Sequence, residues 1–118
     1  MTIEEDFFAA ATAGSPTIRM YPEVMPQQPV LPAATFTVIS GRDDMHIAGK
    51  SNTGERIFQV DAWASSRLGA DTLMDDVQSR LLQATAFTIV AIDMSGAPRY
   101  EEETRRYRAS KEFMVRFA

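Results

Sequence analysis

Four prolines, at positions 22, 26, 29 and 32, fall inside the stretch RMYPEVMPQQPVLPAATFTVIS, residues 19–40, and they constrain the fold more than any other feature of the chain. Proline fixes φ and lacks an N–H, and the residue before each proline is pushed toward extended or polyproline geometry. Neither a helix nor a central strand can run through such a segment. A stiff strap is therefore expected over 15–33, with the Ser15-Pro16 break at its start. It separates one N-terminal element from a larger block that must supply the sheet.

Ahead of the strap, Thr2-Ile3-Glu4-Glu5 has the form of a capping box, so a helix is expected over 2–13, ending near Gly14. Ile3, Phe7, Phe8 and Ala11 share one face, and Glu4, Glu5 and Asp6 put negative charge in the first turn, where the helix dipole favours it. After the strap, the β-branched and aromatic run TFTVI predicts a strand over 34–40, and ERIFQVDAWA predicts a second over 55–64. The link 41–54 is polar and glycine-bearing, and reads as a long loop of the kind that carries function. Ser65-Ser66 caps a helix expected over 66–83, with Ala70, Leu73, Met74, Val77 and Leu81 as its apolar stripe and Leu82 at its margin. FTIVAIDM predicts a strand over 87–95, SGAP a turn, and the period-two alternation through Tyr107, Ala109, Lys111, Phe113, Val115 and Phe117 a final strand over 104–117. Consecutive strands joined by loops favour antiparallel hairpins, and two amphipathic helices suffice to cover one face of the sheet. The expectation is an α+β two-layer sandwich, a mainly antiparallel four-stranded sheet with both helices on one face, in one domain over 1–118.

A chain of 118 residues buries roughly two-thirds of its unfolded surface, enough for one core. Its 45% apolar and 24% charged content is that of an ordinary globular domain. No apolar run reaches the roughly 18 residues needed to span a bilayer, and MTIEEDFF is acidic where a secretory signal is basic, so a cytosol-like compartment and no membrane partner are expected. The absence of cysteine excludes disulfides, thiolate metal sites and a cysteine nucleophile. The net charge of −4 argues against duplex binding, which needs clustered Lys and Arg. The charge is uneven: residues 1–98 carry 6 basic and 12 acidic side chains (net −6), and 99–118 carry 6 basic and 4 acidic (net +2). Opposed poles of this kind can pair head to tail between subunits, and an ordinary solvated strand accounts for them equally well.

Catalytic signals are weak. Asp43, Asp44 and His46 make a DDMH cluster that in principle supplies metal ligands and a hydrolase, but a cluster this short in a loop is more often solvated. Gly49-Lys50-Ser51 matches the end of a phosphate-binding loop, yet Asp44 stands where that motif needs its first glycine. Asp75 and Asp76, adjacent on a helix, point about 100° apart and cannot cooperate as an acid/base pair. There is no G-x-S-x-G elbow. No catalytic, cofactor-binding or metal residues are assigned. Trp63 shares a strand face with Ile57, Gln59 and Asp61, and reads first as a residue packed under a helix, second as an interface anchor or the floor of a ligand- or peptide-binding module. Arg99-Tyr100 and Arg105 to Arg108 interleave basic and aromatic groups as single-strand binders do, but Glu101, Glu102 and Glu103 intervene.

Taken together, MYPEVMPQQPVLPAATFTVISG, RIFQVDAWASS, an alanine- and leucine-bearing helix and the closing strand YRASKEFMVRF resemble the small tail-completion and tail-terminator proteins of long-tailed bacteriophages and prophages, over residues 19–117. The resemblance implies a structural α+β subunit without cofactor, assembled as a homo-oligomeric, hexameric ring on the head-proximal end of the tail tube in the virion, after synthesis in the host cytoplasm. Its implied partners are the tail tube protein and the head-tail connector protein, with DNA passing through the lumen without specific binding. A head-closure or connector protein of the same neck region is the nearest alternative. Contacts are expected from the 41–54 segment, through Arg42, Asp43, Asp44, Met45, His46, Lys50 and Asn52, and from Trp63, Arg106 and Arg108.

Overall fold

The computed structural model describes residues 2–14, 18–24, 30–46, 49–94, 99–101 and 106–117, and side chains within these except at 42–46, 49–53, 94, 99 and 101. Helix α1, Ile3–Thr12, begins as its capping box requires: Thr2 is extended, and its Oγ1 accepts a hydrogen bond from the Glu5 N–H at 3.2 Å. Glu5 closes the box on the threonine hydroxyl, which donates to its Oε1 at 3.1 Å. The helix stops at Ala13, and Gly14 follows at φ +95°, a left-handed conformation that costs glycine nothing. Helix α2, Arg67–Leu82, is capped in the same way, with the Ser66 Oγ accepting from the Gly69 N–H at 3.0 Å.

Strands β1 (Met20–Pro22), β2 (Ala33–His46), β3 (Gly49–Ala64), β4 (Phe87–Met94), β5 (Arg99–Glu101) and β6 (Arg106–Phe117) form one sheet. The order across it is β1-β2-β3-β6-β4. β4 lies antiparallel along 111–117 of β6 and β5 along 106–108, so the two share one edge. The β3/β6 pairing is continuous from Gly54↔Phe117 to Ala64↔Tyr107, and a register without slips puts alternate residues of both strands on common faces.

One face carries Phe58, Val60, Ala62 and Ala64 of β3 with Ala109, Phe113 and Val115 of β6, all buried. Both helices pack on it: Ile3, Phe7 and Ala11 of α1 and Ala70, Leu73, Met74, Val77 and Leu81 of α2 belong to the same core. Phe7 is the centre of this layer. Its ring stacks on Phe58 at 4.0 Å between centroids and lies 5.7 Å from Phe36, 5.9 Å from Phe87 and 6.4 Å from Phe113. Of the α2 stripe read from the sequence, Ala70, Leu73, Met74, Val77 and Leu81 are buried, whereas Leu82 at its margin is 55% exposed and Phe8 of α1 is 39% exposed. Across the layers the Lys111 ammonium donates to the Gln78 Oε1 at 2.6 Å, which lets a lysine occupy a core-facing position of β6.

The architecture is α+β as expected, with three differences in detail. The sheet is mixed and larger than a four-stranded antiparallel one, because Met20–Pro22 of the expected strap pairs in parallel with Ala34–Phe36 as edge strand β1. Proline is tolerated there because an edge strand leaves one row of N–H groups without a ladder partner. After it, Glu23 takes a left-handed φ of 64° and donates its N–H to the Phe36 carbonyl at 2.8 Å, turning the chain away from the edge. Prolines 16, 26 and 29 lie outside the described residues. Secondly, the expected loop 41–54 is mostly strand, the distal half of the β2/β3 hairpin. Thirdly, Trp63 is not under a helix: it sits on the opposite, open face of the sheet, where alternation places it with Ile57, Gln59 and Asp61.

Candidate assembly surfaces at the two ends of strand β3

The residues expected to make contacts fall into two groups, one at each end of β3. The first lies on the distal hairpin, where the ladder pairs Arg42 with Glu55, Asp43 with Gly54, Met45 with Lys50 and His46 with Gly49. Asp44 and Asn52 lie on the same two strands, and side chains 42–46 and 49–53 are outside the described ones. β6 reaches along β3 only as far as Gly54, through its pair with Phe117. Beyond that level the hairpin is a two-stranded ribbon among the described residues, a structure of marginal stability on its own.

The base of the ribbon is braced by close packing over a glycine. The Arg56 side chain crosses directly over Gly41, where an added Cβ would lie 2.5 Å from Arg56 Cδ. Its guanidinium carbon then sits 5.1 Å from the centroid of the Phe117 ring. On the open face at the same level, Glu55 and Arg116 form an ion pair across the β3/β6 ladder. Glycine inside a strand pattern signals a close approach of this kind, so Gly41 was a readable clue to the ribbon's base.

The second group lies at the other end, about 30 Å from Gly54 at about 3.3 Å per strand residue. Trp63 faces Arg108 directly across the ladder, and Arg106 lies two residues further along the same face. The guanidinium carbons of Arg106 and Arg108 stand 5.3 and 5.5 Å from the indole centroid, two cation–π contacts worth about 0.5–1 kcal/mol each at a half-exposed site. The indole Nε1 is buried and has no acceptor among the described residues. On the far side of β6, Arg99 is the ladder partner of Arg108, and like charges directly opposite oppose pairing. Glu101 stands opposite Arg106 in the same ladder, so the corner is arginine-rich but carries charge of both signs.

Between the two ends the open face is a polar network that the sequence pattern did not single out. The Asp61 carboxylate accepts from the Ser110 hydroxyl, its neighbour across the ladder, and from Gln59 Nε2 at 3.3 and 3.4 Å. The structure thus brings Trp63, Arg106 and Arg108 together, and holds them well apart from Arg42, Asp43, Asp44, Met45, His46, Lys50 and Asn52. No group of three His, Cys, Asp or Glu residues positioned to hold a metal ion occurs among the described residues. On α2, Asp75 and Asp76 are exposed, and Asp76 lies 3.7 Å from Arg80 one turn on.

The frame is thus a helical layer on one face of a mixed sheet, with an open polar face on the other and the two candidate groups at opposite ends of one strand. The family model for tail completion protein gp17 matches residues 8–118, and the chain belongs to that family of phage tail-completion proteins. No curated protein matches the chain. No helix among the described residues is long and apolar enough to cross a membrane.

Proposed function

We propose that this tail-completion protein is a tail terminator: it caps the head-proximal end of the tail tube as a homo-oligomeric, hexameric ring and offers the surface on which the head is joined. The observation that carries the reading is the two-stranded ribbon, which continues past the last pairing of β6 on a protein of the tail-completion family. A tube grows because each ring presents the next with a matching surface. A terminator copies that surface on one side and presents a different one on the other. The ribbon and the Trp63/Arg106/Arg108 corner, at opposite ends of β3, supply two such unlike surfaces. In this reading the ribbon residues Arg42 to Asn52 make the axial contact with an adjoining ring or the tail tube protein, and the Trp63 corner makes that with the connector protein. DNA passes through the lumen without sequence-specific contact, in keeping with a net charge of −4.

Deletion of residues 43–53 tests the axial assignment. The expected outcome is an intact fold by circular dichroism and loss of tail-to-head joining in an assembly assay. Normal joining by the deletion variant removes the ribbon from the mechanism. Electron microscopy of the purified protein tests the ring: a closed particle with a central hole is expected, and a monomer at every concentration, with no affinity for assembled tubes, overturns the terminator reading.

A further inference from the structure

The two outer edges of the sheet carry matching irregularities. On β2 the register shifts between Val38 and Ser40, leaving Ile39 as a bulge residue. On β4 it shifts between Ile89 and Ala91, leaving Val90 as another. Bulged edge strands resist addition of a further strand, because the extra residue breaks the row of ladder groups that a newcomer would pair with. Here both bulges also expose β-branched apolar side chains: Ile39 is 45% exposed with Val38 beside it at 37%, and Val90 is 47% exposed. β1 covers only Ala34–Phe36 of β2, so among the described residues no strand flanks the Val38/Ile39 position on its outer side.

The two bulges also agree in height. Ile39 falls between the levels of Phe58 and Ile57 on β3, which are those of Phe113 and Met114 on β6. Val90 falls between the levels of Met114 and Val115. They lie within about one residue, roughly 3.3 Å, along the strands, on edges separated by three strand spacings of about 4.8 Å. Two different apolar patches at one height on opposite edges are what a heterologous contact between identical subunits requires, since every copy then offers one patch to each neighbour, and the series closes into a ring where the rotation between neighbours divides a full turn.

We infer that the Val38/Ile39 bulge of one copy docks against the Val90 bulge of the next, so that lateral association is by side-chain packing between blunted edges and not by a shared ladder. This rests on the ring reading above and names the surface that makes it. The occupant is a second copy of this chain because each edge finds at the same level of the other the apolar, β-branched partner that its own exposed residues lack. A packed side-chain contact also leaves the angle between neighbouring sheets to be set by shape, where a continuous ladder would impose the ordinary inter-strand twist.

The test uses the full chain, with Ile39→Lys and Val90→Asp made separately, and reads mass by light scattering across a concentration series, with circular dichroism as the check on folding. The wild type is expected as a ring. Each single variant is expected to need at least about tenfold more protein to assemble, since every contact in it contains one altered edge. An equimolar mixture of the two variants is expected to regain assembly, because the unaltered edge of each meets the unaltered edge of the other and the altered pair is Lys against Asp. The milder Ile39→Thr and Val90→Thr variants keep β-branching and weaken assembly in the same direction. If the wild type forms rings and both charged variants form them equally well, the edge assignment falls while the ring reading stands. Recovery absent from the mixture of two well-folded variants also overturns it. A wild type that stays monomeric sinks the ring reading itself and this inference with it.

Discussion

Replacing Phe7 by alanine is the most searching test of the fold, because the adjacent Phe8 supplies a control on the same helix turn. Phe7 is fully buried, with four phenylalanine rings within 6.4 Å of its own. Phe8 is 39% exposed, and among the described residues its ring is paired with that of Phe36, at 6.1 Å. Truncating a buried phenylalanine costs about 3–5 kcal/mol, and a ring flanked on several sides by aromatic neighbours leaves a cavity that cannot collapse easily, so the upper part of that range is expected. The total stability of a 118-residue domain is of order 6–18 kcal/mol, so the change is a large share of it. With a urea slope of about 2 kcal/mol per molar, the midpoint falls by about 2 M for Phe7→Ala. Phe8→Ala is expected to cost about 1 kcal/mol or less. Urea unfolding followed by circular dichroism at one fixed protein concentration measures both, the concentration being held because assembly itself stabilises the folded chain. If the two variants differ by less than about 0.5 kcal/mol, α1 does not present Phe7 to the core as described, and the helical layer has been misassigned.

Three further outcomes follow from local contacts. Ser66→Ala removes the oxygen that accepts from the Gly69 N–H and is expected to cost about 1 kcal/mol, with Ser66→Gly costing only a few tenths; equal losses in thermal melts would refute the capping role. Gln78→Ala strips the Lys111 ammonium of its acceptor and is expected to cost about 1–2 kcal/mol, most of it recovered when Lys111→Met is added, which a double-mutant cycle in urea measures. Trp63 is the only tryptophan, so its emission reads the arginine-rich corner directly: Arg106→Ala and Arg108→Ala are expected to shift it to longer wavelength as water replaces a guanidinium, each at a stability cost of about 0.5–1 kcal/mol. Unchanged emission in both variants contradicts the stacking geometry.

Features set by neighbours in the chain were the most legible ones. Thr2 and Ser66 announce helix starts because a cap is satisfied within three residues, and the α2 stripe announces its buried face because helical spacing is local. Alternation likewise assigned Trp63, Asp61, Gln59 and Ile57 to one face of β3. The same alternation sets Phe58, Val60 and Ala62 on the other, wholly apolar face, the one the helices cover, so the polar neighbours Gln59 and Asp61 were a better guide to Trp63 than the size of its own ring. β1 was hidden because three residues, one of them a proline, have no periodicity, and their partner Ala34–Phe36 lies across a stretch of the proline-rich segment. The ribbon was hidden because Gly41, Asp43, Asp44, Gly49, Asn52 and Gly54 belong to types depleted in strands, while the pairing that overrides them is a cross-strand property. Among the candidate contact residues, the grouping of Trp63 with Arg106 and Arg108 depended on the β3/β6 register, which a reading of separate strands does not contain.

Strand β3 has one further property, its length. It runs without interruption from Gly49 to Ala64 and carries the ribbon at one end and Trp63 at the other, so the separation of those groups is counted in residues. Two residues inserted between Ile57 and Val60 would lengthen it by about 6.6 Å and keep each group on its own face; one residue would turn Trp63 over into the helical layer. β3 is in that sense a measuring rod with a parity rule: its length changes in double steps, unless a bulge of the kind at Ile39 and Val90 absorbs a single residue.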